Sequence, residues 1–126
     1  MNNDIVQQAR EFIRKKEERI KREKNPRFEQ AWCDFDKIVE MIIKKYNPKR
    51  IYQWGSLLDQ FFFSNISDID IAVEGIKDWE TFSAMLGDAW EMTDFPLDLV
   101  DIEDLTPIYR KYIIKDGKLV YERKNI

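Results

Sequence analysis

The segment WGSLLDQFFFSNISDIDIAVEG places residue types that can handle phosphate and metal close together: Gly55 and Ser56, eleven intervening residues, then Asp68 and Asp70. On a strand, side chains at i and i+2 share a face with Cα atoms about 6.5 Å apart, so Asp68 and Asp70 converge while Ile69, Ile71 and Val73 turn to the core. Two neighbouring carboxylates repel unless a cation lies between them, and hard oxygen ligands suit Mg2+ or Mn2+. Gly55 permits close backbone approach. Ser56 and the amides after it, at a helix start, offer hydrogen bonds and a positive dipole to an anion. A cation site and a phosphate site would therefore adjoin.

Chemistry at phosphorus needs little covalent help from a protein: bound metal and well-placed donors align the groups and neutralise developing charge. A third carboxylate completes such a site, and Asp98, between Leu97 and Leu99 in PLDLVDI, is the candidate. An acid buried in that strand with no basic neighbour in sequence is costly unless it serves a function. Asp101 competes, but it falls on the opposite face of a regular strand and nearer its end. Other chemistries are disfavoured by composition. The chain has no histidine, so Ser56 lacks the base of a serine triad, and with one cysteine, Cys33, there is no plausible zinc set or intrachain disulfide. Cys33 is read as an inert core residue on a helix face.

These residues need elements to position them. Ile5, Ala9, Phe12, Ile13 and Ile20 recur at helical spacing among charges, predicting an amphipathic helix over 4–23 that Asn25-Pro26 ends. Phe28, Ala31, Trp32, Phe35, Ile38, Val39, Ile42 and Tyr46 predict a second, core-packed helix ending at Asn47-Pro48. Short β-like runs follow at 50–54, 68–73, 96–102 and 119–121, with a short helix or turn over 57–63 and a helix over 79–90. Thr106-Pro107 reads as the N-cap and first position of a last helix, closed by Asp116-Gly117.

The Gly-Ser, spacer, Asp-x-Asp pattern with a later hydrophobic-Asp strand resembles the nucleotidyltransferase superfamily. LDLVDIEDLTPIYRKYIIKDGKLVYE is similar to the C-terminal end of its minimal antitoxin members, partners of HEPN-domain toxins. The likeness covers residues 51–122. It implies an α+β nucleotidyltransferase fold, a small mixed β-sheet flanked by helices, here with an N-terminal two-helix extension. It further implies that Asp68, Asp70 and Asp98 are catalytic and hold Mg2+ or Mn2+, Asp98 assisting the attacking hydroxyl, and that Gly55 and Ser56 bind ATP. In some members the acceptor is a tyrosine of the partner toxin. The sequence departs from the pattern after Gly-Ser, where Leu57, Leu58, Asp59 and Gln60 replace an arginine-containing turn; no Lys or Arg occurs in 51–76. Lys77, Arg110 or Lys111 would have to supply positive charge.

The 126 residues predict one domain over 1–126, with a helical extension and first core helix over 1–46 and a catalytic core over 50–122. No run spans a bilayer and the start lacks an export signal, predicting a soluble, cytoplasmic protein without membrane contact. The first 50 residues carry a net +5 and the rest −8, for −3 in all. Arg14, Lys15, Lys16, Arg19, Lys21 and Arg22 are interrupted by glutamates without interleaved aromatics, which reads as a solvated face rather than a nucleic-acid surface. The leading expectation is an antitoxin enzyme moving AMP from ATP to a hydroxyl on a partner protein. A module neutralising its partner by contact, and a transferase for small molecules such as aminoglycosides, are the alternatives. The first helix is the candidate contact for a partner or a second copy.

Overall fold

The structure, a computed structural model, describes residues 2–22, 26–55, 57 and 68–124, with the backbone alone for 2–4 and 16–22. Ser56, Asn25 and all but Leu57 of the expected 57–63 turn lie outside the described residues. The elements run α1 (Asn2–Arg22), α2 (Pro26–Tyr46), β1 (Arg50–Trp54), β2 (Ile69–Glu74), α3 (Trp79–Trp90), β3 (Leu97–Asp101), a 3-10 turn (Ile102–Asp104), α4 (Pro107–Asp116) and β4 (Lys118–Glu122). The sheet order is β3-β2-β1-β4. β1 pairs antiparallel with β2 and with β4, while β2 and β3 are parallel, so the sheet is mixed as expected.

Strand alternation divides the sheet into two unlike faces. Ile51, Ile69, Ile71, Val73 and Leu99 point to one side, where α2 covers them with Ala31, Phe35, Ile38, Val39 and Ile42, and α3 with Phe82, Met85 and Ala89. The other side carries a smaller cluster, Tyr52, Ala72, Ile102 and Ile113, with Trp54, Val100 and Leu105 packed against it. Arg50 braces the two antiparallel pairings, its Nη1 2.9 Å from Glu74 Oε2 and its Nε 3.2 Å from Glu122 Oε2.

Local chemistry sets the helix ends. α2 stops where Asn47 takes φ 49°, the left-handed conformation common just past helix ends, before Pro48. α3 is capped by Asp78, which accepts from Thr81 N at 2.8 Å. α4 starts with Pro107 at its first position as expected, but Thr106 makes no side-chain cap bond, and Gly117 N closes the helix on Ile113 O at 2.9 Å.

One sequence expectation fails on α2. Cys33 is exposed, not core. The buried positions 31, 34, 35, 38, 39 and 42 define one stripe, and position 33 lies some 200° around the helix from Ala31. Asp34 is the converse, a carboxylate inside that stripe. It accepts from Gln30 Nε2 at 2.9 Å and from Thr93 Oγ1 at 2.8 Å, and Thr93 Oγ1 in turn accepts from Phe95 N at 3.1 Å. The acid thus ties α2 to the loop feeding β3. Asp34→Ala, which leaves both donors unpaired, is expected to lower unfolding free energy by about 2–3 kcal/mol and Thr93→Val by about 1 kcal/mol. Equilibrium denaturation measures both, and an Asp34→Ala loss no larger than that of Thr93→Val contradicts the account.

Candidate active site

The second, thinner face of the sheet ends in the carboxylates. In the β1–β2 ladder Trp54 is opposite Asp70, and in the parallel β2–β3 ladder Asp70 is opposite Asp98. Asp70 and Asp98 therefore stand side by side on neighbouring strands. Asp68 lies immediately before β2, two residues from Asp70, half-buried. Ile69 N donates to Pro96 O at 2.8 Å, locking the start of the parallel pair and with it the register that sets the two acids abreast.

Gly55 follows Trp54 with φ +87°, a conformation L side chains rarely adopt. A Cβ there would lie 2.0 Å from Asp70 Oδ2, so the glycine is required by its backbone and by the carboxylate resting on its Cα. Ser56, the other half of the expected phosphate turn, is outside the described residues.

Electrostatics follow from this crowding. Burial pushes the Asp70 carboxyl up to about 7, with the charges of Asp98 and then Asp68 adding to the shift. Asp98 is also raised, by partial burial and then by Asp68. The expectation that Asp98 is a buried acid is corrected: it is exposed, because β3 is an edge strand with no neighbour beyond it among the described residues. Asp101, on the opposite face, accepts from Glu103 N at 3.0 Å and caps the 3-10 turn, which accounts for it structurally.

Neighbouring acids of which two, Asp70 and Asp98, are pushed toward the protonated form are the donor set a hard divalent cation relieves, and in that respect they fit Mg2+ or Mn2+. Among the described residues, however, no three His, Cys, Asp or Glu side chains are gathered closely enough to form a ready metal cage. The basic residues named from sequence do not close on the site. Arg110 is committed to backbone, its Nε 3.2 Å from Ile102 O and its Nη2 3.0 Å from Glu103 O. Lys77 and Lys111 are exposed.

Sequence reasoning missed a cavity of about 280 Å3 that opens beside Asp98, lined by Trp54, Val100, Leu105, Tyr109, Tyr112 and Ile113. Ile113 is the one buried residue of α4, and Tyr109 and Tyr112 neighbour it at i−4 and i−1. The i, i+3, i+4 spacing of 109, 112 and 113 was a readable signal for one helix face.

A mixed sheet with acids at the end of its β2–β3 pair and a glycine turn pressed on one of them defines a nucleotidyltransferase-type protein. Residues 36–126 match the family model described as "Polymerase beta, Nucleotidyltransferase", and the chain belongs to that family. The search of curated proteins finds no match. Among solved structures, one described as "Crystal structure of the toxin-antitoxin with AMP-PNP" is similar at 24% identity and a TM-score of 0.56, covering 70% of this chain and 73% of that one. At that identity the likeness speaks for the fold.

The raised Asp70 fixes a pH dependence for the metal-free chain. Its carboxyl holds a proton in the folded state up to about pH 7 but loses it near 4 when unfolded. The folded state therefore binds more protons in that window. Stability contributed by neutral Asp70 is full below pH 4 and is lost as pH rises through 7. Against Asp70→Asn, wild type should lose on the order of 2–4 kcal/mol between pH 4 and 7.5, since each tenfold difference in proton affinity between the folded and unfolded states is worth about 1.4 kcal/mol. Denaturation with EDTA across that range tests it, and parallel profiles for the two proteins contradict the burial of Asp70.

Proposed function

We propose that this chain is a divalent-metal-dependent nucleotidyltransferase that moves AMP from ATP to a hydroxyl on a partner protein, acting as the antitoxin of a pair whose toxin has a HEPN domain. The observation that carries the reading is the Asp70–Asp98 pair, abreast on parallel strands, with Asp70 packed on Gly55. Asp68, Asp70 and Asp98 would hold Mg2+ or Mn2+, which supplies charge neutralisation for the phosphates when bound. Gly55 and Ser56 would bind the triphosphate through backbone amides and the Ser56 hydroxyl. Asp98, the most exposed of the three, would take the proton of an incoming hydroxyl, while the less exposed Asp70 would hold the metal. The antitoxin role draws on the similar solved structure, described as a toxin-antitoxin, and on the C-terminal sequence likeness.

The test is labelled ATP, Mg2+ and the product of the adjacent open reading frame. Label is expected on that product, falling at least about 100-fold in Asp70→Ala, the scale of removing a major electrostatic contributor at phosphorus. Equal labelling by wild type and variant overturns the reading. One observation favours a second role, neutralisation by contact: among the described residues no basic side chain closes on the carboxylates. An Asp68→Ala/Asp70→Ala variant that still neutralises its partner fully would select that role.

The described side chains of α1, residues 5–15, are all exposed, including Ile5 at 69% and Phe12 at 70%. A lone helix is marginal in water, and its apolar stripe is the proposed contact for a second copy of the chain. Phe12→Ser touches no core residue and is expected to shift the assembly state toward monomer by sedimentation velocity. An unchanged sedimentation coefficient removes α1 from the interface.

A further inference from the structure

The same cavity carries a step beyond transfer to a partner. Of the five tyrosines, Tyr109 and Tyr112 line the cavity whose wall includes Asp98, and they are 64% and 54% exposed. The other three are placed differently. Tyr46 donates to Asp88, Tyr52 is 8% exposed in the cluster beneath α4, and Tyr121 packs toward the opposite core from β4. Neither Tyr109 nor Tyr112 has a hydrogen-bond partner for its hydroxyl among the described residues. At about 280 Å3 the cavity falls below the roughly 300–1,000 Å3 of sites that enclose a small ligand, so it is too small to enclose a whole nucleotide, and Asp98 is part of its wall.

Resting on the transferase reading above, we infer that this chain nucleotidylates itself on a phenol of α4, Tyr109 or Tyr112. The phenol oxygen attacks the α-phosphorus of ATP, forming a Tyr O–P bond. The bond from that phosphorus to the β-bridging oxygen breaks, and pyrophosphate leaves with the electron pair. The phenol proton passes to the Asp98 carboxylate and from there to water. No oxidant or further reactant is required. The product carries AMP in the mouth of its own site, so the modified chain is expected to transfer less to any other acceptor.

The experiment uses the full chain with ATP and Mg2+ and no partner, followed by intact mass and pyrophosphate release together. The expected result is a single AMP adduct that is lost in Asp70→Asn and in the Tyr109→Phe/Tyr112→Phe double variant, whose rings keep the packing. Arg110 and Lys111 separate the two tyrosines onto different tryptic peptides, so mapping assigns the acceptor directly. The initial rate per molecule should not change over a tenfold range of protein concentration, as for a reaction within one chain. An adduct on another residue, a rate per molecule that rises in proportion to protein concentration, or pyrophosphate release with no adduct each overturns the inference and leaves the transferase intact. Absence of adduct, of pyrophosphate release and of partner labelling overturns both.

Discussion

The arrangement depends on holding two like charges beside each other. Neighbouring strands lie about 4.8 Å apart, and at an effective dielectric near 20 two carboxylates at such a separation repel by about 3 kcal/mol. Nothing in the ladder relieves that repulsion. Trp54 stands on the other side of Asp70 and Gly55 presses on its carboxylate, so burial, the largest cause of its raised pKa, and charge act in the same direction. The structure tolerates this because the parallel register is fixed elsewhere, by the Ile69–Pro96 bond and by the Ile69, Ile71 and Leu99 side chains driven into the opposite core. A one-residue slip of β3 would turn Leu97 and Leu99 out and Asp98 in. Hydrophobic burial on one face thereby enforces electrostatic strain on the other.

That division explains why the two faces are so unequally covered. α2 and α3 place eight buried side chains over the first, whereas α4 contributes Ile113 alone to the second. A face sealed as tightly as the first could not admit a ligand of any size. The loosely seated α4 leaves the cavity by Asp98 open and puts Tyr109 and Tyr112 at its rim. Asp34 serves the same end from the far side, because its bond to Thr93 steadies the loop from which β3 departs.

Much of this was legible in the residues. β1 and α3 occupy the ranges their periodicity predicts, 50–54 and 79–90, because strong alternation or a full apolar stripe leaves little choice. The strand bearing Asp70 was readable for the same reason, since Ile69, Ile71 and Val73 alternate cleanly with it. What escaped depends on neighbours distant in sequence. Asp98 looks buried between two leucines, and only the strand order shows that β3 is an edge. Cys33 and Asp34 sit next to each other on one helix, and the stripe's phase, not residue type, decides which goes inside. Asp34 is tolerated there by Gln30 and Thr93, and Thr93 lies 59 residues away. The Trp54, Tyr109 and Tyr112 cavity is a tertiary fact of the same kind.

The missing arginine after Gly-Ser acquires a physical sense in this arrangement. Gly55 is already in contact with the Asp70 carboxylate, and a fixed cation paired with that acid would compete with a metal for the same oxygens. Arg110, one of the three basic residues named from sequence, is spent on Ile102 and Glu103 carbonyls, where it fastens the 3-10 turn to α4. With no ion pair to them among the described residues, the three acids keep their demand for a counter-ion, and under the proposed function ligand affinity would rest on a bound divalent cation and backbone amides. Under the proposed function, the unpaired acids and the absent arginine would be one feature: a site that stays repulsive until a cation and a polyphosphate arrive together.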